Sequence, residues 1–122
     1  MYELFVESHF SAAHRLANYA GNCARFHGHN WLVRVYVQAS DVNAIGMAVD
    51  FRDIKKCLGD LLERLDHADL TQLPEFADVN PTCEIIARFL YRELVRQLHG
   101  DTFKIARVQV CETPTTGASY YE

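Results

Sequence analysis

The chain has 122 residues, the length of one ordinary domain, and its 49% apolar content is enough to bury a core without disulfides. Twelve basic against sixteen acidic residues give a formal charge of -4, and no basic cluster exceeds Lys55-Lys56, which removes the electrostatic basis for general nucleic-acid binding. No apolar run approaches a membrane span, and the acidic start Met1-Tyr-Glu lacks the basic head of a secretory signal, so a soluble, cytoplasmic protein that engages no membrane is expected.

From Tyr2 to His14 the residues alternate, with Tyr2, Leu4, Val6, Phe10 and Ala12 on one side and Glu3, Glu7 and Ser11 on the other; Phe5 breaks the pattern. The alternation predicts a half-buried strand whose apolar side ends in His14. The following stretch, Arg15 to Phe26, contains Asn18, Gly21, Asn22 and Cys23 and is long for a connection between neighbouring strands, which favours a functional loop. A second strand is predicted from His27 to Gln38, with His27, His29, Trp31, Val33, Val35 and Val37 on one face. From Asp50, a fair N-cap, the period changes to that of an amphipathic helix carrying Phe51, Ile54, Leu58, Leu61, Leu62 and Leu65. A second helix reads from Thr82 to a stop at His99-Gly100, with Ile85, Ile86, Phe89, Leu90, Leu94 and Leu98 as its stripe. Lys104 to Glu112 returns to strand, with Ala106, Val108 and Val110 on the face of Glu112, and Pro114 to Gly117 turns into a short last strand near Tyr120-Tyr121.

The order β-β-α-α-β-β predicts one α+β domain over residues 1–122, a four-stranded antiparallel sheet with two helices on one face. The unpaired edges of such a sheet invite pairing with identical neighbours into a ring, so a homo-oligomer is expected.

His14, His27 and His29 fall at the ends of neighbouring strands, where three buried imidazoles are costly without a partner. Three histidines with one coordination position open suit a catalytic divalent ion, zinc best among the common metals. Cys23, four residues before His27, is within reach of such a site as a base activated by positive charge or as a fourth ligand. The remaining cysteines, Cys57, Cys83 and Cys111, form no C-x-x-C pair and read as small buried hydrophobes. Asp66-His67 pairs a carboxylate with an imidazole for proton transfer, or merely ends the first helix, since adjacent residues on an extended backbone point opposite ways. Glu112, on the apolar side of a strand end, either grips a guanidine-like ligand edge or pairs with Arg107 or Arg15.

Taken together, Phe10-Ser-Ala-Ala-His14, Cys23-x3-His27-Gly-His29, Val49-Asp50-Phe51, Leu65-Asp66-His67-x2-Leu70, Asn80-Pro-Thr-x-Glu84 and Glu112-Thr113 resemble the 6-pyruvoyltetrahydropterin synthase superfamily over nearly the whole chain. The resemblance implies the tunnelling fold, trimers that close sheets into a barrel, and two trimers stacked into a homohexamer. It implies His14, His27 and His29 as Zn2+ ligands, Cys23 as catalytic base, Asp66 and His67 as acid/base partners from another subunit, Glu112 as pterin anchor, and Thr82 near the pterin. The three-residue gap after Cys23 is similar to the 6-carboxy-5,6,7,8-tetrahydropterin synthase branch of the queuosine route, which turns 7,8-dihydroneopterin triphosphate into carboxytetrahydropterin, acetaldehyde and triphosphate. Triphosphate elimination without carbon-carbon cleavage, as in the animal-type synthases, and a non-catalytic, metal-stabilised pterin-binding domain are the alternatives. Arg15, Arg25, Lys55 and Lys56 are the candidate triphosphate contacts.

Overall fold

A computed structural model describes residues 1–21 and 24–122. Strands β1 (Tyr2–His14) and β2 (His27–Ala39) pair antiparallel along their full length, Tyr2 opposite Ala39 and His14 opposite His27. Helix α1 (Phe51–Glu63) follows, then a two-residue strand β3 (Ala68–Asp69), helix α2 (Cys83–Gln97), and the hairpin of β4 (Phe103–Thr113) and β5 (Thr116–Tyr120). Single 3-10 turns at Leu70–Gln72 and Pro74–Phe76 carry the chain from β3 toward α2.

The sheet order is β3-β1-β2-β4-β5, and β3 runs parallel to β1. This corrects the expectation of four antiparallel strands in the order β-β-α-α-β-β: the sheet is five-stranded and mixed. The added strand has no periodicity to announce it. It forms because the chain leaving α1 passes the end of β1, where the His67 amide donates to the Ser11 carbonyl.

One face of the sheet carries Val6, Phe10, Trp31, Val33, Val35, Val37, Val108 and Val110, and the apolar sides of both helices close over it. Alternation in β1 and β2 holds as expected, burying the even positions of one and the odd positions of the other. Asp50 caps α1 by accepting from the Arg52 amide, and Thr82 caps α2 by accepting from Ile85. Phe51 departs from the expected α1 stripe: it is exposed in the first turn, and Cys57 takes a place in the core instead. In β4 the expected core position Ala106 gives way to Ile105. Val37 pairs with Ile105 and Tyr36 with Arg107, so Ala106 is the extra residue of a bulge that reverses the alternation. Cys57 and Cys83 are buried as expected, whereas Cys111 is half-buried. Among the described residues, no helix is long and apolar enough to cross a membrane.

Candidate metal centre and adjoining cavity

His14 ends β1 and His27 begins β2, so the strand pairing sets them face to face, and His29 follows one pleat later. One ligand atom from each of the three lies within 4.8 Å of the others. Trp31, next in the same row and 0% exposed, forms the floor: its ring centroid lies 4.9 Å from that of His14 and 5.1 Å from that of His29. The indole is fixed in turn by donating from Nε1 to the Ala12 carbonyl at 3.1 Å. Trp31 was legible only as a core residue, because periodicity does not distinguish the floor of a site from the rest of the core.

Hydrogen bonding fixes the tautomers of two of these rings. His14 Nδ1 lies 2.8 Å from the Pro81 carbonyl oxygen and His27 Nδ1 lies 2.6 Å from that of Arg25. A carbonyl only accepts, so each Nδ1 carries the proton and each neutral ring turns an Nε2 lone pair inward. The two Nε2 atoms nevertheless stand 3.0 Å apart. Two lone pairs at that separation repel unless a proton or a cation lies between them. His29 Nε2 is buried with no hydrogen-bond partner and has Glu112 Oε2 at 3.7 Å. Burial lowers the pKa of both His14 and His29, with the other histidines adding to the effect, which favours the neutral form that a metal requires. Two oriented tautomers and an orphaned third nitrogen fit a divalent cation, and the all-imidazole donor set suits zinc.

Beside the histidines opens a cavity of about 320 Å³ lined by His14, Leu16, Tyr19, Thr82, Cys83, Glu112 and the β5 residues Thr116 to Ala118. Glu112 enters it from a second bulge. Cys111 pairs with Gly117 and Thr113 with Thr116, leaving Glu112 without an opposite residue. A bulge is a common means of re-aiming a side chain at a site. Neither Arg107 nor Arg15 pairs with Glu112; Arg107 instead stacks over Tyr36, its guanidinium carbon 3.6 Å from the ring centroid. Gly117 permits the wall: a Cβ there would meet Cys111 Sγ at 2.6 Å and the Val110 carbonyl oxygen at 2.7 Å. Burial, aided by nearby Glu112, pushes the Cys83 thiol up to about 12, so Cys83 is a neutral member of the lining. Its place in the cavity was not legible from sequence, nor were those of Leu16, Tyr19 and the β5 backbone, because each depends on contacts between distant elements. A hollow of about 410 Å³ at the opposite end of the sheet, lined by Tyr91, Phe103, Lys104 and Tyr121 among others, brings no comparable ligand set together among the described residues.

Asp66 and His67 form a pair of their own. His67 takes a left-handed backbone (φ 56°), which folds its ring back until Nδ1 is 2.9 Å from Asp66 Oδ2. The extended geometry assumed for this dipeptide therefore does not apply. Asp66 Oδ1 accepts from the Ser11 amide at 2.9 Å, and that bond together with His67 lowers the Asp66 pKa. The His67 side chain is 83% exposed, and neither residue lines the cavity beside the histidines. Cys23 lies outside the described residues. Of the candidate triphosphate contacts, Arg15 and Arg25 are exposed on the segment between β1 and β2, while Lys56 is paired with Asp60 along α1.

The profile of the 6-pyruvoyl tetrahydropterin synthase family matches residues 3–122. A 6-carboxy-5,6,7,8-tetrahydropterin synthase of Synechocystis sp. is 34% identical, with 99% of this chain and 94% of the relative covered. The Bacillus subtilis protein of the same name is 33% identical over 98% of this chain and 84% of its own length. Among solved structures, the 6-pyruvoyl tetrahydropterin synthase of Caenorhabditis elegans superposes with a TM-score of 0.88 at 25% identity, covering 99% of this chain and 95% of that one.

Proposed function

Since the chain belongs to the 6-pyruvoyl tetrahydropterin synthase family, we propose that it is a zinc-dependent carbon-carbon lyase that converts 7,8-dihydroneopterin triphosphate to 6-carboxy-5,6,7,8-tetrahydropterin, acetaldehyde and triphosphate on the route to 7-deazaguanine and queuosine. The observation that carries the proposal is the convergence of three metal-competent imidazoles with a carboxylate, Glu112, beside a cavity that His14 and Glu112 line and that is suited to a small ring system. The carboxy-forming reaction is favoured over pyruvoyl formation by the names of the Synechocystis and Bacillus relatives.

His14, His27 and His29 would hold the ion, which when bound supplies Lewis-acid polarisation of the substrate's side-chain hydroxyls. The chain's own groups do the rest. Glu112 accepts from the guanidine-like edge of the pterin, a bidentate contact that fixes which carbon faces the base. Thr82, on the cavity wall at the start of α2, bounds the same ring. Cys23, as thiolate, takes a proton from the side-chain carbon, and His67, held by Asp66, gives and takes protons as the electrons move into the dihydropterin ring. In one chain the Asp66–His67 pair is exposed and apart from the cavity, which supports a site completed by a second copy. The short β3 and β5 at the sheet edges leave backbone free for that pairing, in keeping with a homohexamer of two trimers in the cytoplasm.

Product analysis by mass spectrometry tests this reading. Incubation with 7,8-dihydroneopterin triphosphate and zinc should release acetaldehyde with carboxytetrahydropterin. Accumulation of 6-pyruvoyltetrahydropterin alone would reassign the chain to the activity carried by the name of the Caenorhabditis elegans structure. In the Cys23→Ala variant, unchanged turnover would remove the cysteine from the mechanism. Turnover lost with zinc retained would count against a purely structural site.

A further inference from the structure

We propose that Asn80 is a positioning residue, a side-chain clamp that holds the segment after β1 against the start of α2 and so builds the wall of the substrate cavity. The inference rests on the pterin reading of that cavity. The Asn80 amide reads both polar groups of one distant residue: Oδ1 accepts from the Ala17 amide at 2.9 Å, and Nδ2 donates to the Ala17 carbonyl at 3.0 Å. This is the donor-acceptor pattern that one strand offers another, supplied here by a side chain. Between Leu16 and Ala24 these are the only hydrogen bonds to the rest of the protein among the described residues.

What they hold matters for the cavity. Leu16 and Tyr19, on either side of Ala17, line it together with Thr82 and Glu112. Immediately after the clamp Asn18 turns into a left-handed conformation (φ 62°), so the direction in which Tyr19 leaves depends on Ala17 being fixed. The next residues work on the same site. The Pro81 carbonyl orients His14, and Thr82 caps α2 while lining the cavity. Asn80 differs from both because its side chain is not part of the cavity lining and its hydrogen bonds go to Ala17, so it acts through the segment it grips.

The test compares wild type, Asn80→Ala and Asn80→Asp, each loaded with zinc. The readouts are neopterin binding by fluorescence titration, zinc per chain, and the KM and kcat for 7,8-dihydroneopterin triphosphate. Asn80→Ala should weaken neopterin binding and raise KM at least about tenfold while zinc per chain is unchanged, since His14 keeps its Pro81 contact. Asn80→Asp keeps the acceptor for the Ala17 amide but sets its second carboxylate oxygen against the Ala17 carbonyl in place of the donor, and should weaken binding at least as far as Asn80→Ala. Trypsin cleavage after Arg15 and Arg25 should quicken in the same order. Neopterin affinity and KM equal to wild type in Asn80→Ala would overturn the clamp while leaving the pterin reading intact. Parallel loss of zinc, folding and binding in both variants would make Asn80 a purely structural residue and equally overturn it. A wild-type protein without affinity for neopterin would overturn the pterin reading, and the proposed role of Asn80 with it.

Discussion

The Pro81 carbonyl oxygen lies 2.8 Å from His14 Nδ1 and thereby settles which nitrogen of that ring faces the cavity. Since Pro81 immediately precedes the N-cap of α2, the docking of the helix and the orientation of the first candidate ligand are one event. A histidine oriented this way has little rotational freedom left to lose when it binds an ion, which is how outer contacts raise metal affinity.

The three-histidine assignment predicts a graded loss of metal. Replacing one ligand, His27→Ala, should leave two imidazoles and lower zinc affinity by about a hundredfold or more, on the scale at which even an outer contact is worth 10- to 100-fold. Elemental analysis after dialysis against a weak chelator reads this directly. Full occupancy in the variant would contradict the assignment.

Stability of the metal-free protein should depend on pH, with a definite sign. His14 and His29 titrate below the usual 6.5 in the fold, chiefly because of burial. Between that value and their lowered ones the unfolded chain binds more protons than the folded one, so stability rises with pH across this window. The thermal midpoint of chelator-treated protein should therefore climb as pH rises from the depressed values through 6.5 and level off above it. A midpoint that is flat or falls over the same range would argue against neutral buried imidazoles. Asp66 has the same sign at lower pH: its contribution is present above the usual 3.8 and is lost as pH falls toward its depressed value.

Glu112→Gln keeps the size of the side chain but loses the charge and one acceptor. A hydrogen bond to a charged group is worth about 1.5–3 kcal/mol, so pterin affinity should fall by roughly ten- to a hundredfold. Zinc content should hold, because the three imidazoles are untouched. Isothermal titration with neopterin measures the first effect and elemental analysis the second; undiminished affinity would remove Glu112 from ligand recognition.

Asp66→Asn should separate orientation from charge. The amide oxygen can still accept from the Ser11 amide, keeping the end of β1 in place, but the variant loses the carboxylate that holds the His67 ring. We expect kcat to fall by about a hundredfold, the usual scale of a positioned acid or base, with little change in thermal midpoint. A pH profile unaltered in both rate and shape would dismiss the pair from proton transfer.

How far the sequence could be read follows the range of the interactions involved. β1, β2 and the helices were legible because their periods repeat over thirteen or more residues each. So was the grouping of His14 with His27 and His29, since two strand ends in register need only pattern to be matched. β3 was invisible, being two residues placed by the exit of α1. The phase of β4 was misread at Ala106 because one unpaired residue changes which side faces the core without changing composition. The Asp66–His67 contact was judged on extended geometry, and a positive φ at His67 is not visible in residue types. The cavity wall was beyond reach for a similar reason: the roles of Leu16, Cys83 and Gly117 emerge only when three separate elements meet.

The bulge at Ala106 gives β4 two independent phases. On one side of it Ile105 enters the core; on the other Val108 and Val110 do, with the chain continuing to Glu112. An alternation without interruption would tie these positions together, so that an inserted or deleted residue near Phe103 turned the carboxylate away from the cavity. With slack at Ala106, the start of β4 can drift in sequence and length while Glu112 keeps its aim at the cavity.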